Sequence, residues 1–250
     1  MTYDAPPPGR PIGTLRISTV ALLGVVVAVS VPTAAAAITM SWSGQVDDQR
    51  ATVPIGPAGP ISRVVVQDSE SDVVVTGDPA AIGAEGRADV QWKGKHGRRP
   101  ALRQSVENGV LTLTKDCSSG GCGPVDIALR VPAGVSVQVT TSDGRVEVAN
   151  VTGAVDLTSS DGDLQASGLG SGDASFQTTN GTVSAAFTGA PARIRVTTTN
   201  ADVDIATDGR TRYYDSVQNT NGSRSLTNLQ DRFAAAEIDV TTSNGNVSVK

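Results

Sequence analysis

Aromatic residues are scarce, at 3% of the chain. A core built on large rings is therefore not expected, and small and β-branched side chains must fill the interior. There is one His and there are two Cys, which leaves few ways to build a metal site or a nucleophile–base pair. The charge is not basic either. A net of −5 argues against nucleic acid as a partner, because phosphate binding wants a basic surface, and it gives no general attraction to anionic lipid headgroups. Glycine, in contrast, is plentiful at 27 residues, and the apolar residues are mostly Val, Ala, Leu and Ile. That mix suits short strands punctuated by tight turns.

The first 60 residues differ from the rest. Residues 1–16 carry three consecutive prolines and no apolar period, and read as a disordered cytoplasmic tail. Ile17 to Met40 contains no charge over 24 residues, long enough for one transmembrane helix. Arg10 and Arg16 precede it, whereas Asp47, Asp48 and Arg50 follow it. This bias keeps the N-terminus in the cytoplasm and exports the C-terminal part, with the lipid bilayer as a partner of the helix. A cleaved signal peptide is the rival reading: Val20 to Val31 has the length of its apolar region, and Ala34-Ala35-Ala36 resembles a cleavage site. Residues 41–60, polar and then rich in Pro and Gly, read as a spacer. The exported domain is expected over 61–250.

A ten-residue phrase organises that domain. It begins at Val139, Leu157, Phe176, Val196, Val217 and Val240, as in VTTSDGRVEV and VTTSNGNVSV. Five places after each apolar leader comes a glycine slot, filled by Gly144, Gly162, Gly181, Ala201, Gly222 and Gly245. A period near 20 residues is the signature of a repeat architecture. Parity assigns the inward positions: two before the leader, the leader itself, and seven and nine after it. Apolar residues fill all of these slots except two in the fifth copy, Asp215 and Arg224. Either these two pair with each other, or that copy slips register and turns both outward, because a buried lone charge is costly. A degenerate earlier copy starts at Val66, with Val73 and Val75 at the later slots and Ser71 in the glycine slot. The pattern then lapses from Pro79 to Arg130, where Ala88–Trp92 reads as a strand and Asn108-Gly109 as a hairpin turn.

The expected fold is all-β: a β-solenoid, β-helix-like, of about 20-residue coils. A hairpin meander is the alternative. The solenoid is preferred because Asp143, Asp161, Asn180, Asn200, Asn221 and Asn244 share one corner slot, and stacked Asn amides form a hydrogen-bonded ladder. Gly, or the Asn or Asp before it, supplies the positive φ of the corner. Ala201 breaks that rule and predicts strain or a different turn.

Few residues invite a chemical role. Cys117 and Cys122 frame a four-residue loop. Two thiols and a distant His do not make a zinc site, and the spacing is not the redox C-x-x-C, so a local disulfide is expected. The basic stretch with Lys93, Lys95, His96, Arg98 and Arg99 reads as a solvated turn before a polyanion contact. Asp143, Asp161 and Asp163 on one edge raise glycoside hydrolysis, but no sugar-stacking aromatics or basic cluster accompany them. Calcium binding would need acidic residues at tighter repeats. Thr141, Thr178, Thr198 and Thr242 are read as a polar stripe on the outer face.

The VVVQDSESDVVVTGD opening, the LRVPAGVSVQV strand pair and the recurring [TS]-[TS]-[DN]-G-x-V-x-V phrase resemble the bacterial putative-adhesin domain family of unknown function, LiaG-like. The resemblance covers about Ile61 to Lys250. It implies an N-terminal membrane anchor, an exported right-handed solenoid-like domain, and no catalytic residues, metal or cofactor to carry over. The Asn-Gly corners and the defective fifth copy depart from it. The function expected is a non-catalytic, extracytoplasmic cell-envelope module for adhesion, scaffolding or stress sensing, with an envelope protein or glycan as partner. A polysaccharide-active enzyme is the alternative.

Overall fold

The computed structural model describes residues 48–56, 58–93, 99–116 and 123–250. Every regular element among them is a strand. The expected membrane segment Ile17–Met40 and both cysteines lie outside the described residues. Among those described, no helix is long and apolar enough to cross a membrane.

In chain order the strands are β1 (Asp48–Ile55), β2 (Arg63–Gln67), β3 (Val73–Asp78), β4 (Glu85–Lys93), β5 (Ala101–Glu107), β6 (Val110–Asp116) and β7 (Val125–Pro132). The six phrases supply β8 (Ser136–Thr140) with β9 (Val146–Ala149), β10 (Val155–Thr158) with β11 (Leu164–Leu169), and β12 (Ala174–Asn180) with β13 (Val183–Phe187). They continue with β14 (Arg193–Asn200) and β15 (Val203–Ala206), β16 (Tyr213–Asn221) and β17 (Arg224–Leu226), then β18 (Ala236–Asn244) and β19 (Val247–Val249).

These strands form two parallel stacks, which decides for the solenoid over the meander. One sheet runs β6-β2-β8-β10-β12-β14-β18-β16 and the other β7-β3-β9-β11-β13-β15-β19-β17. Each consecutive pair of neighbours is parallel and, apart from a bulge in β11 after Ala166, in register, so Val66, Val139, Leu157, Phe176, Val196, Val240 and Val217 lie in one row. The two rows of inward Val, Leu and Ile meet in a single core. Strands β4 and β1 extend one sheet, and β5 the other, as antiparallel additions at one end.

Several expectations are refined here. The Asp48–Ile55 stretch, expected within a spacer, is β1; it pairs with β4 along its whole length and buries Ile55. Among the described residues the strand framework thus includes Asp48–Ile55, ahead of Ile61. The Val66 copy is a true coil, with Val73 and Val75 beside Val146 and Val148. The lapse contains another. Leu111 and Leu113 pair with Val64 and Val66, and Ile127 and Leu129 with Val73 and Val75. From Leu113 to Ile127 is 14 places, whereas Val66 to Val73 is 7, so the Cys117–Cys122 stretch falls in a seven-residue insertion at this coil's corner. The Asn108-Gly109 hairpin is present, with both residues at positive φ.

Coil order does not follow chain order. The coil of β2 and β3 lies between that of β6 and β7 and that of β8 and β9, and the sixth copy lies between the fourth and the fifth. The fifth copy is thus the end of the stack, which explains its two charges. It keeps register, with Asp215 opposite Ile238 and Arg224 opposite Val247. Both proposed explanations fail: there is no slip, and the two charges do not pair. Arg224 is exposed and donates to the Val217 carbonyl at 3.2 Å, while Asp215 accepts from Asn228 at 3.2 Å. A terminal repeat has no coil beyond it and tolerates polar groups.

Candidate functional site

The corner after each leading strand carries two rows of polar groups. In the outer row, Asn221 Nδ2 donates to Asn244 Oδ1 at 2.9 Å, Asn244 to Asn200 at 2.7 Å, Asn200 to Asn180 at 2.9 Å, and Asn180 to Asp161 at 2.6 Å. The ladder anticipated from the Asn slots is therefore formed, and every amide points its donor the same way. It ends on a carboxylate, which only accepts.

The inner row corrects the expected outer stripe. Thr141, Thr178, Thr198 and Thr242 are all buried, as is Ser159. Their parity is that of the leaders two places earlier, so they face inward; polarity alone misplaces them. Most of their hydroxyls serve the corner's own carbonyls. Thr141 donates to the Asp143 carbonyl at 2.8 Å, and Thr242 to that of Asn244 at 3.3 Å. Asn219 occupies the same slot in the end coil and donates to the Gly245 carbonyl at 2.9 Å.

Corner glycines have two separate reasons. Gly144, Gly181, Gly222 and Gly245 have positive φ, and the Asn or Asp before each does not. Gly162 lacks positive φ, yet a Cβ there would come within 1.9 Å of the Gly144 carbonyl oxygen. Ala201 is also outside the positive-φ region and is buried; of the two expectations for it, the different turn is correct.

The three carboxylates considered for hydrolysis lie along this corner, and two of them are engaged structurally. Asp161 closes the amide ladder. Asp163 accepts the Thr182 amide at 2.8 Å, with Arg145 at 3.9 Å. Asp143 bridges by its backbone to Glu70 in the next coil. Among the described residues no group of three or more His, Cys, Asp or Glu is placed to hold a metal. Of the basic stretch, Arg99 is described, and its guanidinium lies 5.6 Å from the Trp92 ring centre.

Outward-facing residues of the leading strands make a different surface. They alternate with core residues: Arg193 and Arg195 flank Ile194, and Gln138 lies between Val137 and Val139. In-register stacking lines Gln138, Asp156, Ser175 and Arg195 across four coils. A depression of about 320 Å3 opens there, bordered by Arg63, Asp173 and Arg193 as well. Arg63 Nη2 donates to Gln138 Oε1 at 2.7 Å, and Asp173 accepts the Arg193 amide at 3.1 Å. Arg193 and Arg195 approach Glu237 and Asp239 at 3.8 and 3.6 Å. These pairs are open to water and hold the guanidiniums only weakly, leaving donors available to a ligand. The arrangement offers guanidinium, amide, hydroxyl and carboxylate groups for reversible polar contact. Sequence reasoning missed it because single outward charges alternate along every strand, and only the stacking order makes them neighbours.

Comparison with protein-family models matches residues 126–250, half of the chain, to Toastrack DUF4097. The chain belongs to this family. The match opens at β7 and takes in all six phrases, while the coil of β2 and β3 lies before it. Comparison with curated proteins gives no match. Among solved structures, the Toastrack chain is similar to a "putative cell adhesion protein" from Clostridium sporogenes, at 8% identity, covering 81% of this chain and 99% of the other with a TM-score of 0.48. A "putative adhesin" from Bacteroides fragilis is 10% identical, covering 81% and 97% with a TM-score of 0.40. One from Parabacteroides merdae is 9% identical, covering 80% and 96% with a TM-score of 0.33.

Proposed function

We propose that this Toastrack protein is a non-catalytic module of the bacterial cell envelope that binds an envelope glycan or protein. Ile17–Met40 holds it in the membrane, N-terminus inside, and the coil stack is presented outside for adhesion or scaffolding. The observation that carries the reading is the depression around Arg63, Arg193 and Arg195. It sits on a face whose backbone is fixed on both sides by parallel neighbours, so only side chains, and no backbone, remain to be ordered on binding.

The test uses the full chain with a C-terminal tag in a bacterial host. Membrane fractionation and protease added to intact cells report location. Retention of isolated envelope material by the purified protein reports binding. Arg193→Ala with Arg195→Ala is expected to weaken retention about tenfold or more, the loss of two charged hydrogen-bonding groups, at unchanged thermal stability. Unchanged retention would reject the depression as the contact. A protease-protected, unanchored C-terminal domain would reject the envelope placement.

A further inference from the structure

Two coils break the rule that the inward corner slot holds a small polar group. Two places after Leu113 stands Lys115, and two places after Val66 stands Asp68. Strands β6 and β2 pair in register up to Thr114 and Gln67, which brings the two together. Lys115 Nζ lies 3.4 Å from Asp68 Oδ1, and the side chains are 2% and 0% exposed. Neither Nζ nor Asp68 Oδ2 has a hydrogen-bond partner. Oδ1, in contrast, accepts the backbone N–H groups of Ser69 at 2.5 Å and Glu70 at 3.2 Å.

A buried ion pair with unmade hydrogen bonds is an expensive arrangement. One covalent step removes both charges. We propose that Lys115 and Asp68 condense to an intramolecular amide that joins the first two coils of the stack. The Nζ ammonium gives a proton to the carboxylate, which carries it on Oδ2, and the freed amine attacks Cγ. The two backbone N–H groups hold the negative charge that gathers on Oδ1, as an oxyanion hole does. Nitrogen gives up a second proton, and Oδ2 leaves with both protons as water. A C–O bond is replaced by C–N, and no oxidant or other reactant is needed. The fold supplies the proximity that a dilute amine and acid lack. A depression of about 320 Å3, lined by Gln67, Ser69 and Thr140 beside the pair, gives the water a way out.

The experiment is intact-mass measurement of the purified, reduced and denatured full chain, followed by peptide mapping. The wild type is expected to be lighter than its processed sequence by one water, with a branched peptide joining the segments around Asp68 and Lys115. Lys115→Arg keeps the charge but cannot form this amide, and is expected to show the full mass. A wild type of full mass overturns the proposal, and needs no variant to fold. So does a water loss that persists in Lys115→Arg or maps to Asp143-Gly144, Asp161-Gly162 or Asp208-Gly209, where cyclisation of an Asp-Gly sequence gives the same mass change.

Discussion

Asn200 sits in the middle of the amide ladder, donating to Asn180 and accepting from Asn244. Replacing it with Asp keeps the acceptor and turns a donor into a negative charge facing an oxygen. Asn200→Asp is expected to cost about 1–2 kcal/mol at neutral pH. Most of that should return below about pH 4, where the carboxyl is protonated and donates again; denaturant melts at two pH values check it. The inner row makes a paired test. Thr141 donates to a carbonyl, whereas the buried Thr198 hydroxyl has no partner. Thr141→Val should destabilise by about 1 kcal/mol, and Thr198→Val should be neutral or stabilising by roughly 0.5 kcal/mol, since an unmet polar group is lost. Equal effects in the same denaturation assay would refute this account of the row. The two rows were unequally legible beforehand. The Asn slot announced itself by residue type, but the Thr slot looked solvent-facing because Thr is polar, and only its distance of two from an apolar leader revealed its side.

At the level of the single coil, the fifth copy carries the informative chemistry. Tyr213 is buried at its start, and burial, with the Asp208 charge, pushes its phenol up to about 12. Asp215 is half-buried, and burial raises its carboxyl above the usual value, with the Asn228 amide opposing. A raised folded pKa means that the folded state binds the proton more tightly. Stability from this group is full below the unfolded value near 3.8 and falls as pH rises through the raised one. Asp215→Asn is therefore expected to raise Tm at pH 7 and to match the wild type at pH 3 in thermal scans. A wild type already at its best at pH 7 relative to the variant would contradict the assignment. The adjoining coil shows the opposite sensitivity. Gly245 has positive φ, and a Cβ there would come within 2.0 Å of the Ala201 carbonyl oxygen. Gly245→Ala is expected to cost more than about 2 kcal/mol, combining left-handed strain with a backbone clash.

Across the whole stack, the repeat made the architecture readable while leaving the coil order hidden. Parallel in-register pairing works between any two copies, so local pattern cannot rank neighbours. What ranks them is the misfit: Asp215 and Arg224 make the fifth copy a poor interior coil and a good end. The coil of β6 and β7 was hidden for another reason, its corner being stretched by seven residues beyond the usual phrase. The arginine-lined depression was invisible for a third, since it exists only once five coils, from that of β2 to that of β14, are stacked. The order has a measurable consequence. Ending the chain at Asp231 removes β18 and β19, which lie inside the stack. The fifth copy would then face the fourth, with Asp215 against Ile194 and Arg224 against Val203. Limited proteolysis of this truncation is expected to cut throughout 207–231. Coils stacked in chain order would instead be shortened by one and stay protected.

Because β18 and β19 fill a gap between two earlier coils, the stack cannot be finished from one end as the polypeptide emerges. The fourth and fifth copies must wait, unjoined, until residues 236–249 have been made. Closure at this end is thus a late, long-range event, of the kind that slows folding and leaves strand edges open meanwhile. On the export proposed above, such a delay would keep the chain in a threadable state.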